Sequence, residues 1–152
     1  MNAFNIVKTF HILFAIVAVG FNLSYAIWLA RGSMQPEHES FALKTIKLID
    51  GRMANPAYGL LLLSGLLMVY LGHLNILRTF WLGAALVLYL IAVLMAALGY
   101  TPALRKQIQA LETQGRESGD YQAAARRQTV LGVAVMVPII LIIILMVNRP
   151  TL

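Results

Sequence analysis

The sequence predicts an all-α polytopic membrane protein, a four-transmembrane-helix bundle, and three observations carry that expectation. Hydrophobic residues make up 60% of the chain and charged ones 12%, against roughly 45–50% and 25% in soluble domains. The mean hydropathy is +0.77, too apolar for a water-facing surface. The apolar residues also fall into four blocks, about 8–30, 56–72, 80–100 and 128–148, each near the roughly 20 residues a bilayer-crossing helix needs. The whole chain, 1–152, reads as a single integral membrane domain.

The first block is the most informative. From Thr9 to Ala30 it holds no fixed charge, yet it carries His11, Asn22 and Tyr25. At about 100° per residue these three lie within about 60° of arc, with Ala15 and Ala18 between them. Lipid disfavours such groups, so the stripe is expected to face other helices. A cleaved signal peptide would have a shorter core, about 7–15 residues, so the block reads as a retained helix. Met1 to Lys8 reads as a short tail before it.

Pro36, Glu37 and Glu39 open a short helix to Asp50 whose apolar stripe is Ala42, Ile46, Ile49 and Met53. Proline suits a first helical turn and acids suit the positive end of the dipole. The pattern predicts an interfacial amphipathic helix before the second span, or a loop helix packed on the bundle. Asp50-Gly51 is expected to break it, and Asn55-Pro56 to start the second span. There Tyr58, Gly65 and Gly72 share a face at which a neighbour can approach closely. Gly72 to Arg78 is a tight turn.

In the third span Ala85, Ala92, Ala96 and Gly99 form a small-residue seam with Tyr89 beside it. Thr101-Pro102 is expected to start a segment with Leu104, Ile108 and Leu111 as its stripe. Gly115 to Gly119 reads as a flexible break, with Asp120 as cap of the fourth helix. Pro138 lies mid-span and is expected to kink it. Trp28, Tyr70, Trp81 and Tyr100 sit near span ends, where amphipathic rings anchor at the interface.

Charge predicts orientation. Arg31, Lys44, Lys47 and Arg52 lie between the first two spans; Arg105, Lys106, Arg116, Arg126 and Arg127 lie between the last two. The opposite side has Lys8, Arg78 and Arg149. The positive-inside rule then faces both termini outward from a bacterial inner membrane. These basic residues belong to topology and anionic headgroups, not to nucleic acid. With no cysteine, disulfides, thiolate metal sites and cysteine nucleophiles are excluded. The spans hold no paired carboxylates, and the chain has no Ser-His-Asp arrangement, phosphate loop or two-histidine zinc motif. No embedded charge or inverted repeat marks a transport path.

His11 is the one histidine inside a span. It sits at the depth expected of Gly65 to Met68, and imidazole is the usual axial ligand of haem iron. It reads either as a metal ligand or as a hydrogen-bonding group that holds helices together. Met68 and His73 are candidate second ligands, and Met68 also suits a core gap. Asn22 and Tyr25 complete the candidate cofactor-binding set, as ligand contacts or as interhelical bonds. His38 reads as a solvated loop residue.

The order Phe10-His11-Ile12-Leu13, Asp50-Gly51-Arg52, Asn55-Pro56, Ser64-Gly65-Leu66, Trp81-Leu82, Tyr100-Thr101-Pro102 and Met146-Val147-Asn148-Arg149-Pro150 resembles a family of predicted bacterial integral membrane proteins, domain of unknown function 2269. That resemblance implies a four-helix fold and no activity. More distantly the chain is similar to the small membrane protoporphyrinogen oxidase, which carries haem b, and to the copper-resistance D family. Either implies a role for His11 alone, because no span holds the lysine or arginine of the haem-linked oxidase. Two functions are therefore expected in competition: a haem b-binding redox or sensor protein using His11, and a non-catalytic accessory or scaffold protein that meets a partner membrane protein, or itself as a homo-oligomer. Copper handling is a third expectation.

Overall fold

The computed structural model describes residues 2–76 and 78–150, and every regular element among them is helical. They are α1 (Ala3–Met34), α2 (Pro36–Ile49), α3 (Asn55–Leu71), α4 (Phe80–Met95), α5 (Thr101–Gln114) and α6 (Gly119–Asn148). Four continuous helices, Ala3–Met34, Pro36–Leu71, Phe80–Gln114 and Gly119–Asn148, are long and apolar enough to cross a membrane. The predicted fold class is the observed one.

The contacts divide the chain into two units, Met1–Asn75 and Ile76–Leu152. In the first, α1 packs along α2 and α3; in the second, α6 packs along α4 and α5.

The expected breaks are not breaks. Between α2 and α3 the helix widens into a π turn, Asp50–Ala54, and between α4 and α5 into another, Ala96–Tyr100. The Asn55 amide reaches back to the Asp50 carbonyl and the Thr101 amide to that of Ala96. Each π turn is followed by a proline, Pro56 or Pro102. A proline ring crowds the carbonyl four residues earlier and offers no N–H to it. A wider turn relieves both problems without ending the helix. Gly51 and Asn55 therefore lie inside a helix of 36 residues, and α2 leads straight into the second span.

Other boundaries also shift. The helix α1 begins at Ala3, capped by the Asn2 side chain, which accepts from the Asn5 amide. The Lys8 tail is thus helical. At α6 the cap is Ser118, which accepts from the Tyr121 amide, while Asp120 sits in the first turn and accepts from Gln114. The helix continues through Pro138, which is buried.

Packing differs along each helix. The largest fully buried side chains are Leu43, Ile46, Leu104 and Gln128, which lie in or beside the amphipathic segments. Within the apolar spans many of the buried residues are small, Ala18, Ala57, Ser64, Ala85 and Ala92 among them, although Tyr25, Pro138 and Ile139 are buried too. Water drives large side chains together, whereas lipid is as apolar as leucine and rewards only close backbone approach. The stripe of α2 follows that rule. Ala42 and Ile46 are buried, Ile49 is half-buried, and Met53 is exposed.

Candidate functional site

The polar stripe of α1 meets α2–α3 at three levels. Nearest the chain's N-terminus, His11 Nδ1 stands 3.0 Å from Ser64 Oγ. Further along, the Asn22 amide donates to the Tyr58 hydroxyl. Beside the π turn, the Tyr25 hydroxyl donates to Asp50 Oδ1 at 3.4 Å and the Asn55 amide to Oδ2 at 3.4 Å. The stripe faces another helix, as lipid exclusion requires.

Small residues make this approach possible. A Cβ added to Gly65 would lie 3.1 Å from His11 Cε1, and one added to Gly72 would lie 3.1 Å from the Phe4 ring. The Tyr58, Gly65 and Gly72 face expected in the second span is the face α1 uses. In the second unit Gly99 adjoins Leu131, and Gly132 adjoins the Tyr100 ring. Ala85 and Ala92 are buried there, while Tyr89 and Ala96 are half-buried.

The Ser64 hydroxyl decides the chemistry at His11. It lies 2.7 Å from the Leu60 carbonyl and 3.1 Å from that of Leu61. With its single hydrogen on its own helix backbone, Oγ is free to accept from His11 Nδ1–H in the tautomer that carries that proton. In the neutral ring, Nε2 then carries the lone pair. A histidine whose Nδ1–H is held by a fixed acceptor is oriented in the way metal-ligating histidines are.

The other sequence-derived candidates do not gather around His11. Asn22 and Tyr25 lie about 16 and 21 Å further along α1. Met68 is half-buried one turn beyond Gly65, about 4.5 Å along the helix. His73 is exposed in the turn with a positive φ of 49°, roughly 10 Å beyond the level of Gly65. His38 is exposed. Among the described residues no group of three or more His, Asp or Glu could hold a metal ion.

Sequence reasoning missed Ser64 and Asp50 as partners of the stripe. The signal for Ser64 was its place beside Gly65, at the depth already assigned to His11. Asp50 lay hidden because a break was expected there; it accepts from Tyr25 and Asn55, while Arg52 is exposed.

The second unit has its own polar rungs. Buried Gln128 donates to the Tyr100 hydroxyl at 3.1 Å and buried Gln107 to that of Tyr121 at 3.4 Å. At the far end of α6, the Arg149 guanidinium lies 5.6 Å over the Trp81 ring, a cation–π clasp.

Four long apolar helices with hydrogen-bonded polar rungs between them define a polytopic helical membrane protein. The chain belongs to the family described as predicted integral membrane protein (DUF2269), whose family model matches residues 5–150. No curated protein and no solved structure matches it.

Proposed function

We propose that this protein binds haem b through His11 and acts as a redox or sensor protein of a bacterial inner membrane. The observation that supports the reading is the bond from His11 Nδ1 to Ser64 Oγ, which orients the ring and leaves Nε2 for iron. Bound haem would supply one-electron chemistry or a site for a small gaseous ligand. Among the remaining candidates Met68 is nearer in level than His73, so a second axial ligand from this chain would be Met68. Purified protein is expected to show a haem absorption band that His11→Ala removes while helix content is kept. A colourless wild-type preparation, from cells supplied with haem, would sink the proposal.

A second reading is favoured by a different observation. Asn22 and Tyr25 spend polar groups on α2–α3, and residues such as Ile16, Leu23 and Ile27 leave the rest of α1 apolar and exposed. That surface suits a non-catalytic accessory protein holding a partner helix or a second copy. A colourless, stable, oligomeric preparation would favour it.

In either case the basic connections face the cytoplasm and both termini face outward. A reporter active only outside the cytoplasm, fused after the C-terminus, is expected to be active; an inactive fusion with an active cytoplasmic counterpart would reverse the orientation.

A further inference from the structure

We propose that the Asp50 side chain is a proton-operated staple: as a carboxylate it closes the π turn Asp50–Ala54 and ties it to α1, and on taking up a proton it lets go. Positions five apart lie about 140° from each other round an α-helix, so Asp50 and Asn55 would face different ways in an unbroken one. The π turn brings them together. Across it the Asn55 backbone amide donates to the Asp50 carbonyl, and the Asn55 side-chain amide donates to Asp50 Oδ2 at 3.4 Å. Side chain and backbone close the same ring. The other carboxylate oxygen accepts from the Tyr25 hydroxyl of α1, also at 3.4 Å, so one group holds both the widened turn and the neighbouring helix.

Both partners are donors, which suits a carboxylate, whose two oxygens only accept. A proton turns one oxygen into a donor, so the two bonds cannot both stay as they are. The surroundings decide when that happens. The π turn packs against α1, α2 and α3. From α1 the Tyr25 hydroxyl faces the carboxyl and from α3 the Asn55 amide does, while the Tyr58 hydroxyl accepts from Asn22. The cationic residues nearest in sequence, Arg31 on α1, Lys47 on α2 and Arg52 in the turn, are all exposed. Asp50 itself is half-buried and lies ahead of Pro56, outside the second span. Burial pushes its carboxyl up from the ordinary range, and the bonds from Tyr25 and Asn55 pull it part of the way back. Release therefore falls above about pH 4, the usual value for an aspartate. The proton comes from the side of the membrane that holds the basic connections.

The test uses full-length protein in detergent, isotope-labelled at the aspartate carboxyls and the asparagine nitrogens and followed by nuclear magnetic resonance as the pH is lowered. The chain has two aspartates, Asp50 and Asp120, so two carboxyl signals appear, and Asp50→Asn shows which one is Asp50. Its midpoint is expected above about pH 4, with the Asn55 backbone amide, identified by its loss in Asn55→Ala, moving along the same curve. Tyr25→Phe removes a donor to the charged form and should move the midpoint up by about one pH unit, the low end of what a hydrogen bond to a charged group is worth. In the wild-type protein, an Asp50 midpoint at or below the ordinary aspartate value would overturn the proposal. So would an Asn55 amide that stays put while Asp50 titrates.

Discussion

Gly32→Val is expected to lower the stability of the first unit by about 2–3 kcal/mol, the range of an overpacked contact that cannot relax. A Cβ added to Gly32 would stand 2.9 Å from Ala42 Cβ and 3.4 Å from the Glu39 Cα. The Ala42 Cβ is fixed to its backbone and has no rotamer to move away, so only a shift of the helices can relieve that clash. The contact lies at the end of α1, where Ala42, Leu43 and Ile46 of α2 are buried, and forcing it open exposes those side chains to water. Gly59→Ala is the control. Nothing lies within 4 Å of a Cβ added there, and alanine in a helix interior is favoured by up to about 1 kcal/mol. Thermal melts in detergent should therefore move in opposite directions for the two variants. If Gly32→Val melts with the wild type, α2 does not press on α1 as described.

Ser64→Ala is expected to reduce haem occupancy by about 10–100-fold, the usual cost of losing a partner that orients a ligand. The substitution removes the Ser64 acceptor for His11 Nδ1–H and leaves the Leu61 carbonyl, which His11 also approaches, in its helix. The imidazole would then turn to find another acceptor, because a buried N–H without a partner costs about 1–3 kcal/mol. Ser64→Thr keeps an Oγ able to bond the same carbonyl one turn back, and should bind haem nearly as the wild type does. Titration with haem, followed by its absorption band, ranks the three proteins. Equal affinities for the wild type and the Ser64→Ala variant would show that Ser64 does not orient the ligand.

Much of the fold was legible because lipid imposes simple rules. Length and apolarity marked four spans, and the spacing of His11, Asn22 and Tyr25 marked the face that turns inward. The depth assigned to His11 pointed to Gly65, its observed neighbour. The candidate site was less legible. Asn22, Tyr25 and His11 share a face of one helix, yet they meet three different sets of partners at three levels. A periodicity argument reports angle round the axis and is silent about which residue waits opposite.

The errors had a common origin. Asp50-Gly51 with Asn55-Pro56, and Tyr100-Thr101-Pro102, carry the residues that ordinarily stop or start helices. The chain does not break at either: it widens into π turns ending at Ala54 and Tyr100, and α3 and α5 follow directly from Asn55 and Thr101, the expected starts. Proline and glycine are local signals, and a helix held along its length by a neighbour can absorb them by widening one turn.

The amino-acid sequence by itself determined the class of protein, the number of spans and the inward face of α1, because each follows from the cost of placing polar groups in hydrocarbon. Only the tertiary structure decided that His11 meets Ser64, that Asp50 receives Tyr25, and that α2 runs on into α3. Those outcomes depend on the register between antiparallel helices, set by contacts such as Gly32 with Ala42 and Gly72 with Phe4. Register is a relation between distant residues, whereas hydropathy is a property each stretch of chain carries alone.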